Sequence, residues 1–215
     1  RWSAAACPVE AQPTNGRLYR VREARCTIEA SPFAVTRMSA VIQTDRLHLR
    51  LIDPDHDAAD MLALLNEPGF IRNIADRGVR TLAQARDYTA ERVLGSYTLN
   101  GFGMYAIVRR DDGAWLGNAG LVRRAGLPAP DIGYALLSQY EGHGYAFEAA
   151  RGVMHYARDV LGHTDLYGIV SPDNLRSAAL LRKLGMEDRG DLLLPPPHDE
   201  VVLLFATPGA PAPQR

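Results

Sequence analysis

The sequence predicts a mixed α/β domain. Three observations carry that expectation: strand-type alternation early in the chain, a strand that runs through a glycine-bearing loop into an amphipathic helix, and an irregular order of elements. Hydrophobic residues make up 47% and charged residues 23% of 215 residues, a balance that supports one substantial core and excludes a mainly disordered chain.

In the first strand, Leu47, Leu49 and Leu51 alternate with His48 and Arg50, which puts the leucines on one face. Helix-forming composition follows over Ala58 to Leu65 and Leu82 to Leu94, with Asn66-Glu67-Pro68-Gly69 read as the turn that ends the first helix. Met104 to Arg109 and Trp115 to Arg123 flank Asp111-Asp112-Gly113 and read as a hairpin. A strand over Ile132 to Leu137 leads through Gly142 and Gly144 into a helix from Tyr145 to Val160. On that helix Ala146, Ala149, Val153, Tyr156, Ala157 and Val160 form one stripe.

Leu166 to Val170 is a short buried strand. Pro172-Asp173-Asn174 then supplies turn and N-cap chemistry for a helix with Ser177, Leu180, Leu181 and Leu184 on its inner face, ended by Gly185. Strands at Asp188 to Leu194 and Val201 to Ala206 close a hairpin across Pro195-Pro196-Pro197. The expected order is β-α-α-β-β-β-α-β-α-β-β.

Residues 1–37 show no sustained periodicity and are expected to be a poorly ordered extension, through an over-extended gene start, or a regulatory arm. The working domain is expected at 38–207, and the proline- and alanine-rich residues 208–215 as a flexible tail. Cys7 and Cys26 both lie in the N-terminal stretch, so neither a disulfide framework nor a thiolate metal site is expected in the core. With a net charge of -1 there is no global basic field for nucleic acid or an anionic membrane. No apolar run approaches the roughly 20 residues that span a bilayer, and no signal peptide is visible, so the expected compartment is the cytoplasm. The six histidines are scattered without metal-ligand spacing, and no metal is expected.

A strand, a glycine loop and a helix start make an anion site, because first-turn N–H groups lack partners and carry the positive end of the helix dipole. Gly142 and Gly144 admit the positive φ angles that such a nest needs. Neither a P-loop nor a dinucleotide fingerprint is present. Gln139-Tyr140-Glu141-Gly142-His143-Gly144 instead resembles the pyrophosphate loop of the GNAT acetyltransferase superfamily, with its pattern of Arg or Gln, two residues, Gly, one residue, Gly or Ala.

The resemblance covers residues 41–207 and points to the RimJ/RimL-type branch. Thr44-Asp45-Arg46-Leu47-His48-Leu49-Arg50 resembles its first-strand signature, Asp131-Ile132-Gly133-Tyr134 its fourth-strand opening, and Gly144-Tyr145-Ala146-Phe147-Glu148-Ala149 its helix start. Asn174-Leu175-Arg176-Ser177 and Lys183-Leu184-Gly185-Met186 resemble its Asn-x-x-Ser and Lys-Leu-Gly-Phe pair. The fold it implies has a mostly antiparallel sheet splayed between the fourth and fifth of the expected strands.

The activity it implies is acetyl-CoA-dependent N-acetylation of a primary amine, on a protein N-terminus or a small molecule, by direct attack in a ternary complex. By this resemblance Gln139, Gly142, His143, Gly144, Tyr145 and Ala146 would hold the CoA pyrophosphate. Main-chain groups of Leu136, Leu137 and Ser138 would pair with pantetheine. Asn174 would reach the pantetheine arm, beside its role as N-cap, and Ser177 would lie near the thiol or simply pack. Asp131 would be the base acting through a water, or a solvated strand-start carboxylate.

Many relatives use a tyrosine seven residues after the asparagine as the acid; that position is Leu181, which leaves thiolate protonation to Ser177 or solvent. Glu148 reads as a first-turn carboxylate meeting the helix dipole, and Trp115 and Tyr134 as core or acceptor-pocket aromatics. The other reading is a CoA-binding sensor or interaction module without catalysis. Apart from the amine acceptor, no nucleic-acid or membrane partner is expected; a monomer or a homodimer would serve.

Overall fold

The structure, a computed structural model, describes residues 39–195 and 200–213. The expected extension over residues 1–37 lies outside them, as do Pro196 and Pro197 of the expected last hairpin loop.

Among the described residues eight strands form one sheet: β1 (Ala40–Gln43), β2 (Leu47–Leu51), β3 (Met104–Arg109), β4 (Trp115–Val122), β5 (Asp131–Leu136), β6 (Tyr167–Val170), β7 (Glu187–Leu193) and β8 (Val201–Ala206). Their spatial order is β1-β2-β3-β4-β5-β6-β8-β7. Every neighbouring pair is antiparallel except β5 and β6. Helices α1 (Ala58–Leu65), α2 (Pro68–Asn73), α3 (Leu82–Tyr88) and α4 (Gly95–Asn100) fill the β2–β3 connection, while α5 (Tyr145–Asp159) and α6 (Leu175–Lys183) flank β6 in sequence.

Strand alternation sorts the core into two layers. Tyr105 and Ile107 of β3 join Ala149, Val153 and Ala157 of α5 and Leu181 of α6 on one face. Their neighbours Ala106 and Val108 join Met61, Leu64 and Leu65 of α1 and Ala85 of α3 on the other, where Trp115 is also buried. Trp115 and Tyr105 are therefore core residues.

The structure adds elements to the expected order. Four-residue β1 pairs with β2 at the sheet edge, which makes the expected fourth and fifth strands β5 and β6. The turn after α1 is itself a helix start, since Pro68 occupies the first position of α2, where a missing N–H costs nothing. The helix expected over Leu82 to Leu94 runs on to Asn100 through a π-type turn at Thr89–Leu94. Its start is fixed by a capping box, with Thr81 Oγ1 accepting from the Gln84 N–H at 3.2 Å and Gln84 Oε1 accepting from the Thr81 N–H at 3.1 Å. Val160, expected on the buried stripe, follows the last turn of α5 and is 66% exposed.

The expected loose tail is docked over its described part. Ala210 is buried with Leu127, Tyr167 and Leu204, and the Tyr167 hydroxyl donates to the Pro211 carbonyl.

One buried ion pair ties the sheet to α1. Arg50 on β2 meets Asp57, which precedes α1, through two charge-assisted bonds of 2.7 Å, and the Asp53 N–H adds a third donor at 2.8 Å. Both side chains are buried. Burial pushes the Asp57 carboxyl up, but Arg50, the Asp53 amide and the His56 ring together hold it below the usual carboxylate value. A depressed carboxyl contributes stability above the unfolded value of about 3.9, and that contribution is lost as pH falls through the folded value. Asp57→Ala strands the guanidinium in the core, with an expected cost of about 3–5 kcal/mol. Urea unfolding at pH 7 should show it, and the gap between wild type and variant should narrow on acidification.

Candidate active site

Strands β5 and β6 run parallel but share a single register pair, Asp131 with Tyr167, where the Tyr167 N–H donates to the Pro130 carbonyl at 3.0 Å. Beyond that pair the strands diverge. On its other edge β5 stays paired with β4 from Asp131 to Leu136, and the Leu137 N–H donates to the Leu116 carbonyl at 2.9 Å. Main-chain groups alternate sides along a strand. Odd-numbered residues of β5 thus face β4, while the main chains of Tyr134 and Leu136 face the gap toward β6. The splay expected between the fourth and fifth strands is this wedge.

The wedge opens toward a glycine-bearing loop at a helix N-terminus, a geometry that favours anions. After a single helical turn at Ser138–Tyr140, Gly142 (φ 79°) and Gly144 (φ 81°) turn the chain into α5. A side chain at either position would be strained whatever the space around it. The first-turn N–H groups of α5, among them Tyr145 and Ala146, have no intrahelical acceptor. Gln139 and His143 are exposed on the same loop, and His143 stacks on the Tyr145 ring with 5.9 Å between centroids. The expected pyrophosphate residues are therefore one contiguous surface at the wedge mouth.

A distant part of the chain holds this loop. Glu148 in the first turn of α5 accepts from Thr44 Oγ1 at 2.6 Å, the Arg46 N–H at 2.8 Å and Arg46 Nε at 2.6 Å. Arg46 Nη1 donates to the His143 carbonyl at 3.1 Å, and its guanidinium lies 4.5 Å from the centre of the Tyr145 ring. Glu148 thus does more than meet the helix dipole. Burial pushes its carboxyl up, and the Thr44 and Arg46 donors more than offset this to leave it lowered.

The remaining candidates divide between the faces of β5. Asn174 caps α6, its Oδ1 accepting from the Ser177 N–H at 3.1 Å. Ser177 Oγ lies 2.8 Å from the Tyr134 hydroxyl, which bridges β5 to α6. Asp131 is at the closed end of the wedge. By alternation it points to the face opposite Tyr134, so the structure does not bring Asp131 and Ser177 together. It is 2% exposed, and Arg124 Nε donates to its Oδ2 at 3.2 Å. Its Oδ1 has no hydrogen-bond partner among the described residues. Burial pushes this carboxyl up, and Arg124 only partly offsets that.

Two of the expected pantetheine residues are committed elsewhere. Leu137 is buried toward α1 and α3 with its N–H on β4, and the Ser138 N–H and hydroxyl both donate to Glu67 Oε1, at 3.1 and 3.2 Å. Of Leu136, Leu137 and Ser138, only Leu136 offers main-chain groups to the wedge. Leu181 is sealed in the core, 1% exposed, and a Cβ added at Gly168 of β6 would lie 2.8 Å from its Cδ1. Arg46, Glu67 and Arg124 escaped the sequence reading; for Arg46 the signal was its place in the Thr44–Arg50 signature. Among the described residues no cluster of metal-ligating side chains exists.

Removing the carboxylate in Glu148→Ala deprives three donors at once. Hydrogen bonds to charged groups are each worth about 1.5–3 kcal/mol, so the variant should lose several degrees of melting temperature and about tenfold in affinity for acetyl-CoA, measured by calorimetry. Unchanged affinity would detach the Thr44–Arg46 turn from the loop's function.

Known proteins share this architecture. The acetyltransferase from Agrobacterium tumefaciens str. C58 superposes with a TM-score of 0.61 at 26% identity, covering 77% of this chain and 92% of its own. Ribosomal L7/L12 alpha-N-protein acetyltransferase RimL, in complex with coenzyme A, gives 0.65 at 21% identity over 78% and 97%. In sequence, the uncharacterized N-acetyltransferase YoaA of Bacillus subtilis (strain 168) is 28% identical over 161 residues, 72% of this chain and 87% of YoaA. The family model described as acetyltransferase (GNAT) domain matches residues 46–187, and the chain belongs to the GNAT acetyltransferase family.

Proposed function

We propose that the protein transfers the acetyl group of acetyl-CoA to a primary amine, on a protein N-terminus or a small molecule, by direct attack while both are bound. The observation that carries this reading is the unzipped edge of β5, whose Tyr134 and Leu136 main-chain groups face a gap that opens onto the free N–H groups of α5. An extended amide-bearing arm that ends in a pyrophosphate matches both in order. Leu136 then pairs with pantetheine, and Gln139, Gly142, His143, Gly144, Tyr145 and Ala146 hold the pyrophosphate. Asn174 Oδ1 is taken by the Ser177 N–H, which leaves its amide NH₂ to donate to a pantetheine carbonyl.

Attack requires a neutral amine, whereas an α-amino group has a pKa of about 8 and a lysine about 10.4. Asp131 suits the proton acceptor: burial raises its affinity for a proton, and Oδ1 has no partner among the described residues. It lies on the face of β5 opposite Ser177, so the amine would lose its proton on one side while the thiolate departs on the other. A wedge-facing N–H of β5 would stabilise the oxyanion, and positioning both substrates would supply much of the rate.

A CoA-binding module without catalysis remains the second reading, favoured by the sealed Leu181 and by the Arg124 contact on Asp131. A panel of peptides with free N-termini, polyamines and aminoglycosides, incubated with acetyl-CoA while thiol release is followed, separates the two. Turnover well above the blank with one class is expected; tight CoA binding with no turnover across the panel would favour the second reading. Asp131→Asn should lower kcat by about a hundredfold if Asp131 is the base, with acetyl-CoA affinity retained.

A further inference from the structure

We infer that Tyr134 is a positioning residue that acts through Ser177: its hydroxyl donates to Ser177 Oγ and thereby aims the Ser177 proton into the wedge, at the sulfur of the departing CoA. The inference rests on the acetyl-transfer reading and supplies the leaving-group contact that Leu181 lacks.

A phenol has one proton to give. Ser177 offers the Tyr134 oxygen two acceptors, Oγ at 2.8 Å and the main-chain carbonyl at 3.2 Å. Either oxygen can donate across the shorter contact; with the phenol proton assigned there, Ser177 Oγ accepts from Tyr134 and keeps its own hydrogen for a third group. Ser177 sits in the first turn of α6 and is half-buried, with its N–H already held by Asn174. Tyr134 is rooted on the stretch of β5 whose main chain faces the wedge, and its side chain packs against the core cluster that includes Ile132 and Leu181. The hydroxyl pair therefore spans from strand to helix across the gap where the thioester would lie.

Burial pushes the Tyr134 phenol up to about 12, and no charged group contributes to that shift. A thiol ionises at about 8.5, so Tyr134 stays protonated and serves as a donor throughout. In the transfer, the N–C bond forms and the C–S bond breaks with its electron pair going to sulfur. The Ser177 hydroxyl donates to that thiolate, solvent then protonates it, and the ammonium proton goes to the base. No tyrosinate forms.

Tyr134→Phe removes one oxygen from a half-buried ring and keeps the packing. Single-turnover acetyl transfer should fall about tenfold with the KM for acetyl-CoA within about twofold of wild type, since about 1.4 kcal/mol of transition-state stabilisation is lost. Ser177→Ala should do the same, the double variant should be no slower than Ser177→Ala, and Ser177→Thr should recover most of the rate. In a second measurement, the thiol of bound CoA is titrated through its thiolate absorbance; it should ionise about one pH unit higher in Tyr134→Phe than in wild type. That titration needs no acceptor, so it decides this inference even if the amine panel shows no turnover. Equal thiol titration in both proteins, or losses that add in the double variant, would overturn it.

Discussion

Main-chain N–H and C=O groups of a strand must be satisfied, by a neighbour strand, by water or by a ligand. In this protein β5 keeps one neighbour, β4, for its whole length and loses the other after the pair Asp131–Tyr167. What surrounds that half-unpaired strand follows from it. Tyr134 reaches across to α6 in place of the missing strand contacts, the glycine loop continues directly from the free end, and the open donors of α5 stand where the wedge meets solvent. A hydrogen-bonding gap that ends at a helix N-terminus suits, by its chemistry, an extended chain of amides with an anionic end.

Such a gap works only if the loop beside it holds its shape. Gly142 and Gly144 give the loop its turn but also give it freedom, and the contacts of Glu148 remove much of that freedom from outside. The carboxylate joins the β1–β2 turn to the start of α5, so the sheet's first corner and the glycine loop form one unit. Arg46 completes it by bonding the His143 carbonyl and covering the Tyr145 ring. On the opposite face of the sheet the Arg50–Asp57 pair fixes α1, and the turn between α1 and α2 carries Glu67 to the Ser138 amide at the end of β5. The C-terminal end of β5 and the loop that follows it are thus braced by charged groups from the first third of the chain.

Much of this was legible in the sequence because its causes are local. Alternation at Leu47–Leu51, the glycine at the β3–β4 turn, Asn174 as a cap and Gly185 as a stop all depend on a residue and its near neighbours, and the structure has them. What was illegible has non-local or period-breaking causes. Four-residue β1 is too short to show alternation, Pro68 fits a turn as well as a helix start, and the π-type turn at Thr89–Leu94 disrupts the period by which the helix to Asn100 would be read. Which of Leu136, Leu137 and Ser138 faces the wedge depends on the register with β4, invisible in the sequence. The bond between Arg46 and Glu148 spans 102 positions; the two signatures that contain them could be recognised separately, but not as partners.

The account rests on the wedge edge of β5 being where the cofactor pairs. Amide hydrogen exchange of Tyr134 and Leu136, compared with and without saturating CoA, tests this most directly, because those two N–H groups point into the gap while the Leu137 N–H is already bonded to β4. Strong added protection at Leu136, with little change at Leu137, is the predicted result. CoA binding that leaves both wedge-facing amides exchanging as in the free protein would contradict it.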